Sequence, residues 1–85
     1  KYRSTPIIIN AANEILVDHF LKRKIPFSSI SSYLLRVLSD KNYKKYAIKP
    51  TNTLKNIYLI DNWSRNTTLL LINKKIKWKN LLFYF

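Results

Sequence analysis

Few side chains in this 85-residue chain can move a proton, hold a metal or attack an electrophile: one histidine, His19, and four acids, Glu14, Asp18, Asp40 and Asp61. Cysteine is absent, which excludes disulfides and thiolate metal sites. Glycine is absent too, which excludes a Gly-rich phosphate cradle. Glu14 and Asp18 stand one helical turn apart, but two carboxylates do acid–base work only where a pocket separates their pKa values. The simpler reading has Glu14 accepting hydrogen bonds within a helix–helix contact and Asp18 facing water. His19 lies four residues beyond Ile15 on an apolar arc with no second ligand at helical spacing, so a core or half-buried position suits it better than a metal.

The stretch "IIINAANEILV" sets Asn10, Asn13 and Glu14 inside an apolar run. Asn disfavours a helix interior because its amide competes for backbone hydrogen bonds, and buried amides and carboxylates need partners. The three are therefore read as a structural polar seam between packed elements. No catalytic, cofactor-binding or metal-binding residue is assigned. Asn62-Trp63-Ser64 and Asn66-Thr67-Thr68 match the glycosylation sequon, but chance produces such matches in an Asn-rich chain, and they are set aside.

Helices must position these groups, because turn glycines and alternating β-branched residues are lacking. Thr5 and Pro6 mark the start of a first helix, with Thr5 as cap. Ile8, Ile9, Ala12, Ile15, Leu16, His19 and Phe20 share its apolar arc. Asn10, Asn13 and Glu14 oppose them, together with Val17 and Leu21, so this helix is expected to touch protein on two sides. Pro26 stops it. Ser28 or Ser29 caps a second helix with Ile30, Tyr33, Leu34, Val37 and Leu38 at core spacing. Residues 40–49 read as a polar, basic loop. Pro50 and Thr51 open a short third helix carrying Leu54, Ile57 and Tyr58. Asp61 or Asn62 caps a last one, with Trp63, Leu70, Asn73 and Lys77 on one line and Leu69, Ile72 and Ile76 beside it. The expected fold is all-α: a small four-helix bundle over residues 1–77, followed by an apolar and basic tail over 78–85.

The net charge is +12, with interspersed aromatics, which invites a nucleic-acid reading. Lys outnumbers Arg by 12 to 4, however, and Asn, Ile, Tyr and Phe abound while Gly is missing. A- and T-rich coding explains that composition without a binding function, and charge alone reports on non-specific contacts. The apolar runs "LLLI" and "LLFYF" fall far short of the ~18 residues of a membrane span. The chain does not open on Met and no signal-peptide pattern follows Lys1, so it reads as an internal or C-terminal fragment.

"NAANEILVDHFLKRKIPF" (residues 10–27) resembles the start of the C-terminal helical domain of the 1-deoxy-D-xylulose 5-phosphate reductoisomerase family. The resemblance rests on Asn10 to Glu14, Phe20-Leu21, Lys24-Ile25, Phe27 and Ile30. Val37-Leu38, Pro50-Thr51 and Ile60-Asp61 with Arg65 follow in order. It departs from the pattern at His19, in the Lys- and Tyr-rich 40–49 segment and in the tail. The resemblance implies a multidomain enzyme of non-mevalonate isoprenoid biosynthesis. That enzyme uses NADPH and a divalent cation (Mg or Mn) to rearrange and reduce its substrate to 2-C-methyl-D-erythritol 4-phosphate. Cofactor, metal and substrate would sit on domains upstream, and this segment alone would be inactive and would brace the catalytic domain. The implied partners are those upstream domains and a second subunit of a homodimer, with neither nucleic acid nor membrane. The implied compartment is a bacterial cytoplasm or a plastid-type organelle. Two other readings stay open: a free-standing basic helical module binding nucleic acid or anionic membrane, and a helical protein-interaction domain.

Overall fold

The computed structural model describes the backbone of residues 1–83 and the side chains of residues 1–74. Four helices follow one another: α1 (Thr5–Leu21), α2 (Ser29–Leu38), α3 (Tyr43–Ala47) and α4 (Leu54–Phe83). No strand occurs among the described residues, and the all-α, four-helix expectation holds.

α1 begins where Pro6 pre-sets the first turn. Its N-cap is Ser4, one residue earlier than expected. The Ser4 hydroxyl does not cap; it donates to the Lys49 carbonyl, and the Ser4 amide donates to the Ala47 carbonyl at 2.9 Å. Thr5 shares a 2.7 Å hydrogen bond with the Tyr43 hydroxyl instead of capping. At the other end α1 stops well before Pro26. Arg23 takes a left-handed conformation (φ 59°), its amide donates to the Phe20 carbonyl, and the Lys24 amide donates to the His19 carbonyl. These bonds satisfy the last carbonyls in the way glycine usually permits, and here an arginine does it because the chain has no glycine.

α2 follows Ser28 as N-cap and buries Tyr33 and Val37, with Ile30, Leu34 and Leu38 half-buried, as its spacing predicts. The 40–49 segment departs from expectation: it contains α3. Five residues do not make a stable helix alone. α3 is held by the Ser4 and Thr5 contacts, by buried Ala47, and by Tyr46 stacked on Trp63 at 4.8 Å with planes 12° apart. None of these partners is local in sequence.

The expected third and fourth helices are one. Thr53, not Pro50 or Asp61, supplies the cap: its hydroxyl accepts the Asn56 amide at 3.1 Å, while the Asn56 side chain donates to the Pro50 carbonyl. From Leu54 onward there is no Pro or Gly to stop the helix, so Asp61 and Asn62 lie within it. The buried line of α4 is Ile60, Ser64, Thr68 and Ile72, whereas Leu70 and Asn73 are exposed. Lys77, Ile76 and the 78–85 tail fall on side chains outside the described residues.

Two clusters make the core. Ile8, Ala12, Val37, Ala47 and Ile60 form one, and Leu16, Ile25, Tyr33 and Ile72 the other. α1 and α4 share the most extensive contact of any helix pair. Small residues allow it: α1 buries Ala11 and Ala12, α4 buries Ser64 and Thr68. The Ser64 hydroxyl donates directly to the Ile8 carbonyl at 2.6 Å, and the Thr68 hydroxyl donates to the Ser64 carbonyl at 2.7 Å. Both buried hydroxyls are thereby paired.

Candidate functional site

Three of the four acids are drawn into contacts between side chains, and their partners decide what they can do. Arg65 stands one turn beyond Asp61 on α4 and donates from Nε to Asp61 Oδ2 at 2.8 Å. Its Nη2 donates to Glu14 Oε2 at 2.5 Å, reaching across to α1. The guanidinium fork serves one carboxylate on its own helix and one on its neighbour. The hydrogen bond that Arg65 donates to Asp61, then the one it donates to Glu14, raises the Arg65 pKa above its ordinary value. The trio is a charge clamp between α1 and α4.

Asp18 pairs with Lys22 at 3.0 Å on the exposed surface. Asp40 Oδ1 accepts the Asn42 amide at 2.8 Å and shapes the turn into α3. His19 is half-buried on α1, with Nδ1 2.8 Å from the Ile15 carbonyl. A carbonyl only accepts, so Nδ1 carries the hydrogen. This is the semi-buried position expected of it.

Among the described residues no group of three or more His, Cys, Asp and Glu side chains converges on a point where a metal could sit. The acids here are already committed to Arg65, Lys22 and the Asn42 amide, so they do not fit a divalent cation. A chain without glycine does not fit the close backbone approach of a dinucleotide pyrophosphate. A shallow groove of roughly 520 Å³ runs along α4, lined by Tyr46, Leu59, Asn62, Trp63, Asn66 and Leu70 among others. Asparagines and apolar side chains make most of its lining, with Asp40, Thr67 and Lys74 among them, and it holds no His or Cys to form a nucleophile–base pair.

The three seam residues lie together on the outer side of α1. Asn10, Asn13 and Glu14 are exposed in this chain, beside exposed Ile9, Val17 and Leu21. Ile9 thus belongs to the outer side and not to the inner arc. Glu14 alone of the three reaches another helix. Sequence reasoning overlooked Ser64 and Thr68, whose burial depends on a carbonyl of α1 and on a carbonyl within α4. The Asp61–Arg65 spacing, four residues on a helix, was a readable sign of their ion pair. No helix among the described residues is long and apolar enough to cross a membrane.

A family model described as "DXP reductoisomerase C-terminal domain" matches residues 1–67. Among curated proteins, the 1-deoxy-D-xylulose 5-phosphate reductoisomerase of Prochlorococcus marinus (strain MIT 9515) is 38% identical over 60 residues, 71% of this chain and 14% of that protein. The apicoplastic enzyme of that name from Plasmodium falciparum is 33% identical over 69 residues, 81% of this chain and 14% of that protein. The one from Blochmanniella pennsylvanica is 36% identical over 67 residues, 79% of this chain and 16% of that protein. The aligned part of the chain therefore spans about a seventh of the length of these relatives. No solved structure matches it.

Proposed function

Since the chain belongs to the DXP reductoisomerase C-terminal domain family, we propose that it is the non-catalytic helical domain of a longer reductoisomerase. That enzyme rearranges 1-deoxy-D-xylulose 5-phosphate and reduces the product with NADPH to 2-C-methyl-D-erythritol 4-phosphate. NADPH and a divalent cation, Mg or Mn, are bound upstream of these residues, and the parent enzyme is a homodimer. It works in a bacterial cytoplasm or a plastid-type organelle; relatives of both bacterial and apicoplastic origin support the pair. The partner of this domain is the upstream polypeptide, not nucleic acid or membrane.

The observation that carries the reading is the family match together with the outward-facing seam. Asn10, Asn13 and Glu14 lie in a well-formed helix, yet present amides and a carboxylate on a side that also exposes Ile9, Val17 and Leu21. That mixture suits contact with protein better than contact with water. The role of the domain is to brace: Arg65 fixes the orientation of Glu14, α4 holds α1 rigid from behind, and α1 meets the catalytic part. The test is the full-length enzyme carrying Asn10→Ala or Glu14→Ala. Loss of thermal stability, with or without a change in kcat, supports bracing; unchanged stability and kinetics in both variants refute it.

A further inference from the structure

The cations of this chain are unevenly distributed. Residues 4–21, which contain α1, hold no Lys or Arg, and between Lys55 and Lys74 on α4 the only cation is Arg65. Of the chain's 16 cations, 15 therefore lie outside residues 4–21 and 56–73, whereas a random scatter would have put several in these two stretches. With Glu14, Asp18 and Asp61 against Arg65, the two stretches carry a net charge of −2 in a chain of +12. Lysine is kept off α1 and off residues 56–73 of α4, while the two ends of α4 carry it freely, and α1 and α4 are the helix pair in most extensive contact.

The depletion extends beyond their buried sides. On α1, Asn10, Glu14, Val17 and Leu21 follow one another at helical spacing, and all are exposed. On α4, Leu54, Tyr58, Asp61 and Arg65 do the same, with Leu54 and Tyr58 exposed and Asp61 and Arg65 half-exposed. The Glu14–Arg65 bond joins the two stripes edge to edge. Each stripe spans 12 residues, ~18 Å long and ~10 Å wide. The two together cover about 360 Å², short of the roughly 800 Å² per partner of a stable complex between separate proteins but within the roughly 300–750 Å² per side of an interface between domains of one polypeptide.

We infer that the docking surface of this domain is the two-helix face centred on Glu14, Arg65 and Asp61. Its occupant is the upstream part of the same polypeptide, which presents apolar side chains to Val17, Leu21 and Tyr58, amide or hydroxyl partners to Asn10, and a cation near Glu14. The choice of occupant follows from charge and from length. The face is slightly acidic, so a second copy of it would set like charges against each other. Roughly six-sevenths of the relatives' length lies outside the match. This inference rests on the chain being one domain of a longer protein.

Hydroxyl-radical footprinting of the full-length protein tests it. Leu21, Tyr58 and Leu35 are comparably exposed in this domain, at 71%, 69% and 64%. With rates normalised to each residue's intrinsic reactivity, Leu21 and Tyr58 are expected to be labelled several-fold more slowly than Leu35, at every protein concentration. Equal labelling of the three overturns the assignment of the face. Protection that vanishes on dilution overturns the choice of occupant and points to a second copy. Either result leaves the bracing role to the Asn10 and Glu14 variants, whose stability and kinetics test it separately.

Discussion

Replacing Ser64 by leucine tests how closely α1 and α4 approach. Ser64 is fully buried, and its hydroxyl reaches a backbone carbonyl of α1, so little space separates the helices there. Ser64→Ala removes one hydrogen bond, but the Ile8 carbonyl keeps its place in the α1 ladder, so no buried acceptor is orphaned; the loss is about 1 kcal/mol. Ser64→Leu loses the same bond and also drives a branched isopropyl group against the Ile8 backbone. Overpacking adds about 1–3 kcal/mol, for a total of about 2–4 kcal/mol. A domain this small has only about 3–5 kcal/mol to lose. In urea unfolding of the 85-residue chain, followed by far-ultraviolet circular dichroism and tryptophan fluorescence, Ser64→Ala should shift the midpoint down while keeping one cooperative transition. Ser64→Leu should keep only about 1 kcal/mol, with an unfolded fraction already visible in buffer and a far lower midpoint than Ser64→Ala. If Ser64→Leu unfolds within about 0.5 kcal/mol of the unaltered chain, the close α1–α4 approach described above is wrong.

Three further outcomes are expected. Arg65→Ala leaves Glu14 and Asp61 without their shared partner and should cost about 1 kcal/mol at low salt, with Arg65→Lys recovering only part of it; melts near 1 M salt should show a smaller loss. Arg23→Gly relieves a left-handed arginine and should stabilise the chain by roughly 0.5–1 kcal/mol in the same urea assay, and a destabilisation would contradict the helix end described. Burial raises the Tyr33 pKa above its ordinary 10.0. The folded state therefore favours the protonated phenol, and this contribution is intact below pH 10 and fades as pH climbs from there through the raised value. Stability measured against pH should fall more steeply above pH 10 in the unaltered chain than in Tyr33→Phe.

The two halves of the chain were not equally legible. α1 and α2 could be read because their signals are local: Pro6 at the start, apolar residues at helical spacing, serines ahead of Ile30. The Asn10–Glu14 motif and the ordered matches behind it identified the family. The second half misled for physical reasons. Asp61 and Asn62 have the side chains of a helix cap, but the Asp61 carboxylate spends its hydrogen bond on Arg65, leaving the helix unbroken. Pro50 suggested a start three residues before the real cap at Thr53. Lys- and Tyr-rich residues 43–47 look like solvated loop, and become helical through Ser4, Thr5 and Trp63, partners 17 to 43 positions away along the chain. Ser64 and Thr68 look like surface residues until the carbonyls that receive their hydroxyls are known.

The attachment of α3 to Ser4 also sets an order of opening. A five-residue helix has too few internal hydrogen bonds to outlast its anchors. When residues 1–4 pull away from α3, the bonds to the Ala47 and Lys49 carbonyls go with them. α3 is then left hanging on Tyr43, Ala47 and Tyr46. Amide hydrogens of residues 43–49 should therefore exchange together, at a rate set by the opening of residues 1–4, while α1 and the α4 segment packed against it stay closed. The hydroxyl and amide of one serine couple the segment that leads into α1 to carbonyls more than forty positions away.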